Sequence, residues 1–330
     1  MDWLPLRFIE YSRGSPSDSI KRSPRWDNEE GVASTVGTIM SLMVFLTLMG
    51  MFTNQFVPIW MGDNESAHMS VVVDQFVTLK SQIDGLVADY SNSLIASTPL
   101  AVPITLSATG IPVFAGPTAG ILDFQASTIT GWPSLNISYS SYSIALGPSN
   151  DGHTGGYLQL WCPNRYYVDQ KLIYEGGAVI LNQTDGEFMI AGMQLSVTNY
   201  VAGGTTNRIM KITQVDLLGL DKTIGGTGSK MVNADLLYAA TTAYNSTAGA
   251  PVTITIATAH GVAWENYFKK VLNASLADLA YGTDFTVTKT VYNPTSLTDK
   301  FYIVQIVINN ISVLDHTRAT IQMSVGDLGV

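Results

Sequence analysis

The residues of this 330-residue chain whose types could do chemistry are few and scattered. His68, His153, His260 and His316 stand singly, so a metal site would need the fold to gather them. Each reads more simply as an ordinary surface or core histidine. In "PSNDGHTGG" (148–156), Asn150 and Asp151 could offer oxygen ligands to calcium, but a plain turn accounts for the same residues. The string "IGGTGSKM" (224–231) superficially resembles a phosphate loop. It lacks the Gly-Lys-Ser/Thr ending and falls between predicted strands, whereas phosphate binding needs the N-terminus of a following helix. Neither a zinc-protease helix motif nor a nucleophile elbow occurs. Cys162 is the one cysteine, so no intramolecular disulfide can form. It reads as a buried, inert thiol, with an intermolecular bridge or a reactive thiol as the alternatives.

The expectation is therefore a protein without cofactor, metal or catalytic residues. A hydrolase site assembled from residues distant in sequence is a third, weaker reading. Six Asn-x-Ser/Thr acceptors occur, at Asn64, Asn136, Asn182, Asn245, Asn273 and Asn310, and are candidate N-glycosylation sites on an outward-facing domain. Composition narrows the partners. Only 13% of residues are charged and the net charge is −9, with no basic patch, so nucleic acid is excluded as a partner.

The elements that must carry these residues begin with "GVASTVGTIMSLMVFLTLMGMF" (31–52). No charged side chain lies between Gly31 and Gly62. As a helix, this stretch would span roughly 48 Å, against about 30 Å of bilayer hydrocarbon. It is predicted to be a transmembrane helix over 31–62, with membrane lipid as its partner. Residues 1–30 hold Arg7, Arg13, Lys21, Arg22 and Arg25, while only Lys80 follows the segment closely. The positive-inside rule then puts a polar cytoplasmic leader at 1–30 and everything beyond the segment outside the cell membrane. A cleaved secretory signal fits poorly, because the apolar run is long, starts late and lacks small residues at its end. Ala33, Gly37 and Ser41 form a strip of small side chains that would let helices pack closely in lipid.

Asp63 or Asn64 could cap a second helix, an amphipathic stalk over 63–92. Met69, Val72, Phe76, Leu79, Ile83, Leu86 and Tyr90 recur at alternating spacings of three and four, a heptad stripe. It must bury itself either against a sheet of the same chain or against the same helix in neighbouring copies. From residue 93 to 330 the pattern turns to β. "LIYEGGAVILNQTDGEFMIAGMQLSV" reads as a meander with turns at Gly176-Gly177 and Thr184-Asp185-Gly186. Further strands are predicted at "AVPITLS", "YLQLW", "RIMKITQVDLLGL", "MVNADLLYAATTAY", "PVTITIAT", "DFTVTKTVY", "FYIVQIVINNISVLDH" and "RATIQMSV", and one short helix at "GVAWENYFKKVLN". The expected architecture is an all-β, sandwich-like extracytoplasmic head, with two subdomains dividing near 203 as one option.

The segment "GVASTVGTIMSLMVFLTLMGMF", leading into a β-rich region, resembles the N-terminal part of archaeal type IV pilin-like surface proteins. The stretches "VPIWMGDNESAHMSVVVDQFVTLKSQID" and "LIYEGGAVILNQ" look like parts of archaeal membrane-anchored proteins of that plan. The resemblance implies cleavage of the leader between Gly31 and Val32, and a structural role among copies of itself or other pilin-like subunits. Two departures stand out: Glu29 and Glu30 replace the Lys or Arg usual before the Gly, and Val36 occupies the position of the bacterial pilin Glu. The rival expectation is an anchored ectodomain that never polymerises and binds a surface glycan, an S-layer or another cell as an adhesin.

Overall fold

The computed structural model describes residues 27–93, 98–127, 133–140, 144–145, 155–292 and 301–327. Most of the expected leader lies outside them, as do His153, Asn150 and Asp151. A single helix, α1, runs from Asp27 to Ser93 with Pro58 inside it. Gly31 and Val32 therefore fall within helix. Side chains from Val32 to Met49 are exposed along it, and this stretch is long and apolar enough to cross a membrane. The chain divides into two compact units between Asn54 and Gln55, and Val57 and Met61 are already buried.

The new helix start expected at Asp63 or Asn64 is not made, because helix continues on both sides. Asn64 instead donates from Nδ2 to the Thr109 carbonyl at 3.0 Å. Nor does 63–92 stand out as a stalk. Met69, Val72, Phe76, Leu79 and Ile83 are buried in a core built with strands of the same chain, while Leu86 and Tyr90 pack on it partly buried. At the C-terminal end the buried position is Val87, one residue off the heptad register. A helix of 3.6 residues per turn drifts about 20° per heptad, and a sheet, unlike a coiled-coil partner, imposes no supercoil to cancel that drift.

The head's strands are β1 (Leu100–Thr105), β2 (Gly120–Gln125), β3 (Ser134–Tyr139), β4 (Ile144–Ala145), β5 (Tyr157–Cys162), β6 (Gln170–Glu175), β7 (Ala178–Gln183), β8 (Gly186–Ala191), β9 (Leu195–Ala202), β10 (Thr205–Leu218), β11 (Lys222–Gly226), β12 (Ser229–Thr258), β13 (Phe285–Tyr292) and β14 (Phe301–Asp327). Helix α2 (Gly261–Asn273) follows β12. One sheet is antiparallel, in the order β11-β2-β5-β6-β7-β8. The other is mixed, in the order β4-β3-β12-β14-β10-β9, with β1 also on β12 and β13 on β14; its β10–β14 pair is parallel.

The β6–β7 hairpin separates two cores. Leu172, Tyr174 and Val179 face the core that holds the α1 stripe. Ile173, Ala178 and Ile180 face the core that holds Trp264, Phe268 and Leu272 of α2. Burial on both faces explains why "LIYEGGAVIL" reads as a nearly continuous apolar run. Its two-residue turn needs positive φ at both positions, which Gly176 (+56°) and Gly177 (+77°) supply.

Two sequence expectations change and a third holds. Gly203 and Gly204 form the turn of the β9–β10 hairpin inside one sheet, so no subdomain boundary falls there. "MVNADLLYAATTAY" and "PVTITIAT" are one strand, β12, whose Gly249-Ala250-Pro251 break is absorbed as a register irregularity against β14. "IGGTGSKM" spans the passage from β11 into β12, so a strand follows the glycines where phosphate binding would need a helix.

Candidate functional site

A pocket of about 590 Å³ opens in the head, within the ~300–1,000 Å³ typical of small-molecule sites. The antiparallel sheet supplies its floor by simple alternation. Across it, Lys171 of β6 pairs with Asn182 of β7, which pairs with Glu187 of β8. Beside that row, Tyr157 of β5 pairs with Glu175 of β6. His260, just before α2, and Tyr302 near the start of β14 complete the lining.

The two carboxylates and the imidazole are fastened by the protein itself. Glu175 is buried, and its Oε1 accepts from Thr258 Oγ1 at 2.5 Å and Trp264 Nε1 at 2.7 Å. Glu187 reaches from β8 to the start of α2, where its Oε2 accepts the backbone N–H groups of Val262 (3.1 Å) and Ala263 (3.3 Å). It thereby satisfies helix-start donors from outside the helix. His260 Nδ1 lies 3.5 Å from Glu187 Oε1 and 3.4 Å from Asn182 Nδ2. Burial drives the His260 pKa down, but the bond to Glu187 and the charges of Glu175 and Glu187 outweigh it, so the net shift is upward. Burial, reinforced by its hydrogen bond to Asp123, raises the Tyr157 pKa and keeps the phenol protonated. The result is a fixed wall of amide, carboxylate, imidazole and phenol groups, with Tyr302 as an aromatic surface. Such a wall suits recognition of a polar, uncharged molecule through many hydrogen bonds.

A second polar cluster has a different character. Asp216 accepts from Arg318 Nε (2.7 Å) and the Gly155 backbone N–H (2.9 Å), and Gln214 bonds His316 (3.2 Å). These groups are buried or nearly so and satisfy one another within the head. Burial, helped by the charge of Arg318, pushes the His316 pKa down to about 4. Among the described residues, no group of three or more His, Cys, Asp or Glu could hold a metal ion.

The other sequence candidates are dispersed. Ala33, Gly37 and Ser41 lie exposed on α1. Cys162 is a free, buried thiol at the end of β5, its pKa pushed up to about 12 by burial and by Asp169. His68 bonds the Thr105 carbonyl at 2.9 Å. Of the glycosylation candidates, Asn136, Asn245, Asn273 and Asn310 are exposed. Asn64 has its amide engaged, and Asn182 lines the pocket, where a glycan would compete with any ligand.

Glu175, Glu187 and the pocket role of His260 escaped sequence reading. A cue was present for Glu175, a carboxylate inside the apolar run "LIYEGGAVIL". Glu187 and His260 meet only through the fold. No protein-family model, curated protein or solved structure matches this chain.

Proposed function

We propose that this chain is a membrane-anchored surface protein of the type IV pilin-like plan: leader inside, apolar helix in lipid, β head outside. One observation carries the reading. The apolar side chains from Val32 to Met49 have no cover among the described residues, while the later turns of the same helix are packed in the head. An uncovered helix of this composition needs lipid or other apolar helices around it. In the filament form of the reading, Ala33, Gly37 and Ser41 meet copies of the same helix after it leaves the bilayer. Replacing Gly37 with Leu tests this. Loss of filaments with normal membrane insertion supports polymerisation, and unchanged assembly counts against it. An impermeant protease tests the topology: it should digest the head on intact cells, and a protected head would overturn the orientation.

The pocket favours a second reading, an anchored ectodomain that binds a ligand without polymerising. Its carboxylates are already bonded, and Lys171 is the one lysine or arginine among its lining residues, so a neutral polyhydroxylated ligand such as a surface saccharide suits it best. Saccharide binding by the full chain in lipid nanodiscs should be lost in Glu187→Gln and Lys171→Ala. Binding that survives both would remove the pocket from consideration.

A further inference from the structure

Two loops of the head are fastened to one turn of α1. In the first, between β1 and β2, Ala108 bridges Thr118 and Ile111 bridges Ala115. Its Thr109 carbonyl accepts from Asn64 Nδ2 at 3.0 Å, and its Thr118 hydroxyl donates to Glu65 Oε1 at 2.7 Å. In the second, between β5 and β6, the backbone N–H groups of Arg165, Tyr166 and Tyr167 all converge on the Glu65 carboxylate, at 2.8 to 3.1 Å. Three successive amides on one buried carboxylate make a rigid clamp. Burial of Glu65 raises its pKa, but these amides and Thr118 together reverse that and hold it below the ordinary value.

Both loops turn apolar side chains outward. The first carries Ile111-Pro112-Val113-Phe114. Val113 at its tip is 100% exposed and held at φ +72°, a conformation unfavourable for a β-branched residue. The second carries Tyr166, Tyr167 and Val168, each 37–44% exposed, beside exposed Arg165. Over the two turns before Asn64, α1 itself exposes Phe56, Ile59 and Trp60. A run of outward apolar residues is unfavourable in water and marks a surface with a partner. The chemistry identifies that partner. Tyr and Trp beside Arg, with short apolar tips, are the side chains that partition into lipid headgroups and the first acyl carbons.

We infer that these two loops form a collar that inserts Val113, Phe114, Tyr166, Tyr167 and Val168 into the headgroup layer of the membrane around α1. The inference rests on the proposed anchoring by α1. The Glu65 clamp sets the depth of both loops, because they are fixed to the turn that follows Trp60.

Depth-dependent quenching tests it on the full chain in phosphatidylcholine vesicles. Single cysteines at Val113→Cys and Val168→Cys carry an environment-sensitive dye; Cys162 is buried, and the unsubstituted chain measures its background labelling. Val201→Cys and Leu276→Cys serve as exposed controls elsewhere on the head. The collar predicts blue-shifted emission and quenching by brominated lipid at 113 and 168, with iodide quenching confined to the controls. If the vesicles float with the chain but 113 and 168 respond to iodide like the controls, the collar is wrong and the anchor stands. Shielding from iodide without quenching by brominated lipid would mean contact between copies, and also overturns a lipid partner. If the chain fails to float with the vesicles, anchor and collar fall together.

Discussion

The two ends of helix α1 share one secondary structure and meet opposite surroundings. From Val32 to Met49 its side chains are exposed; from Val57 to Val87 one face is buried among strands. The first stretch is uncharged on every side, whereas the second interleaves Asp74, Lys80, Gln82 and Asp84 with its apolar stripe. That difference separates a helix suited to an apolar solvent from one suited to a single protein wall. Even Lys80, which falls among the polar positions, is buried, with its ammonium bonded to Asp84 one turn on.

Substitutions at equivalent depth should break the symmetry between the two ends. Phe76→Ala removes a side chain with no exposed surface and should destabilise the head by about 3–5 kcal/mol. Urea unfolding of the full chain in zwitterionic micelles would measure this, and a value near zero would mean the stripe is not packed as described. Leu46→Lys should leave head unfolding unchanged but weaken membrane insertion by roughly 3 kcal/mol, read by glycosylation-tag or translocon assays. Next in size is Glu65→Gln, which removes the charge from a carboxylate accepting three backbone amides and a hydroxyl. A loss of about 1.5–3 kcal/mol in head stability is expected.

The same variant carries a pH prediction. Because the folded pKa of Glu65 is depressed, its contribution is complete above the unfolded value of roughly 4.3 and fades as pH falls through the lower folded value. The stability difference between wild type and Glu65→Gln should therefore shrink in acid. His316 adds a separate loss as pH falls from roughly 6.5 toward its folded pKa of about 4, common to both proteins and so cancelling in the difference. Smallest of all, Phe45→Ala should change head unfolding by less than about 0.5 kcal/mol, since Phe45 is exposed.

Much of this contrast is legible before folding. The uncharged run after Gly31 and the stripe from Met69 to Ile83 depend on local spacing, which a linear reading captures. The switch from Leu86 to Val87 does not, because it depends on whether the partner is a sheet or a coiled coil. Strand continuity across Gly249-Ala250-Pro251 was equally hidden: those residues look like a turn, and only pairing with β14 holds β12 in line. The parallel pairing of β10 with β14 and the pocket that joins Lys171 to Tyr302 depend on contacts far apart in the chain.

The core beneath the α1 stripe also sets a timetable for biosynthesis. Val72 shares that core with Val325 of β14, so its cover is completed by residues made roughly 250 positions later, or about 12–50 s at ordinary elongation rates. Throughout that interval the nascent chain presents an uncapped greasy ridge just after its most insoluble segment. Shielding of that ridge must therefore last until β14 emerges.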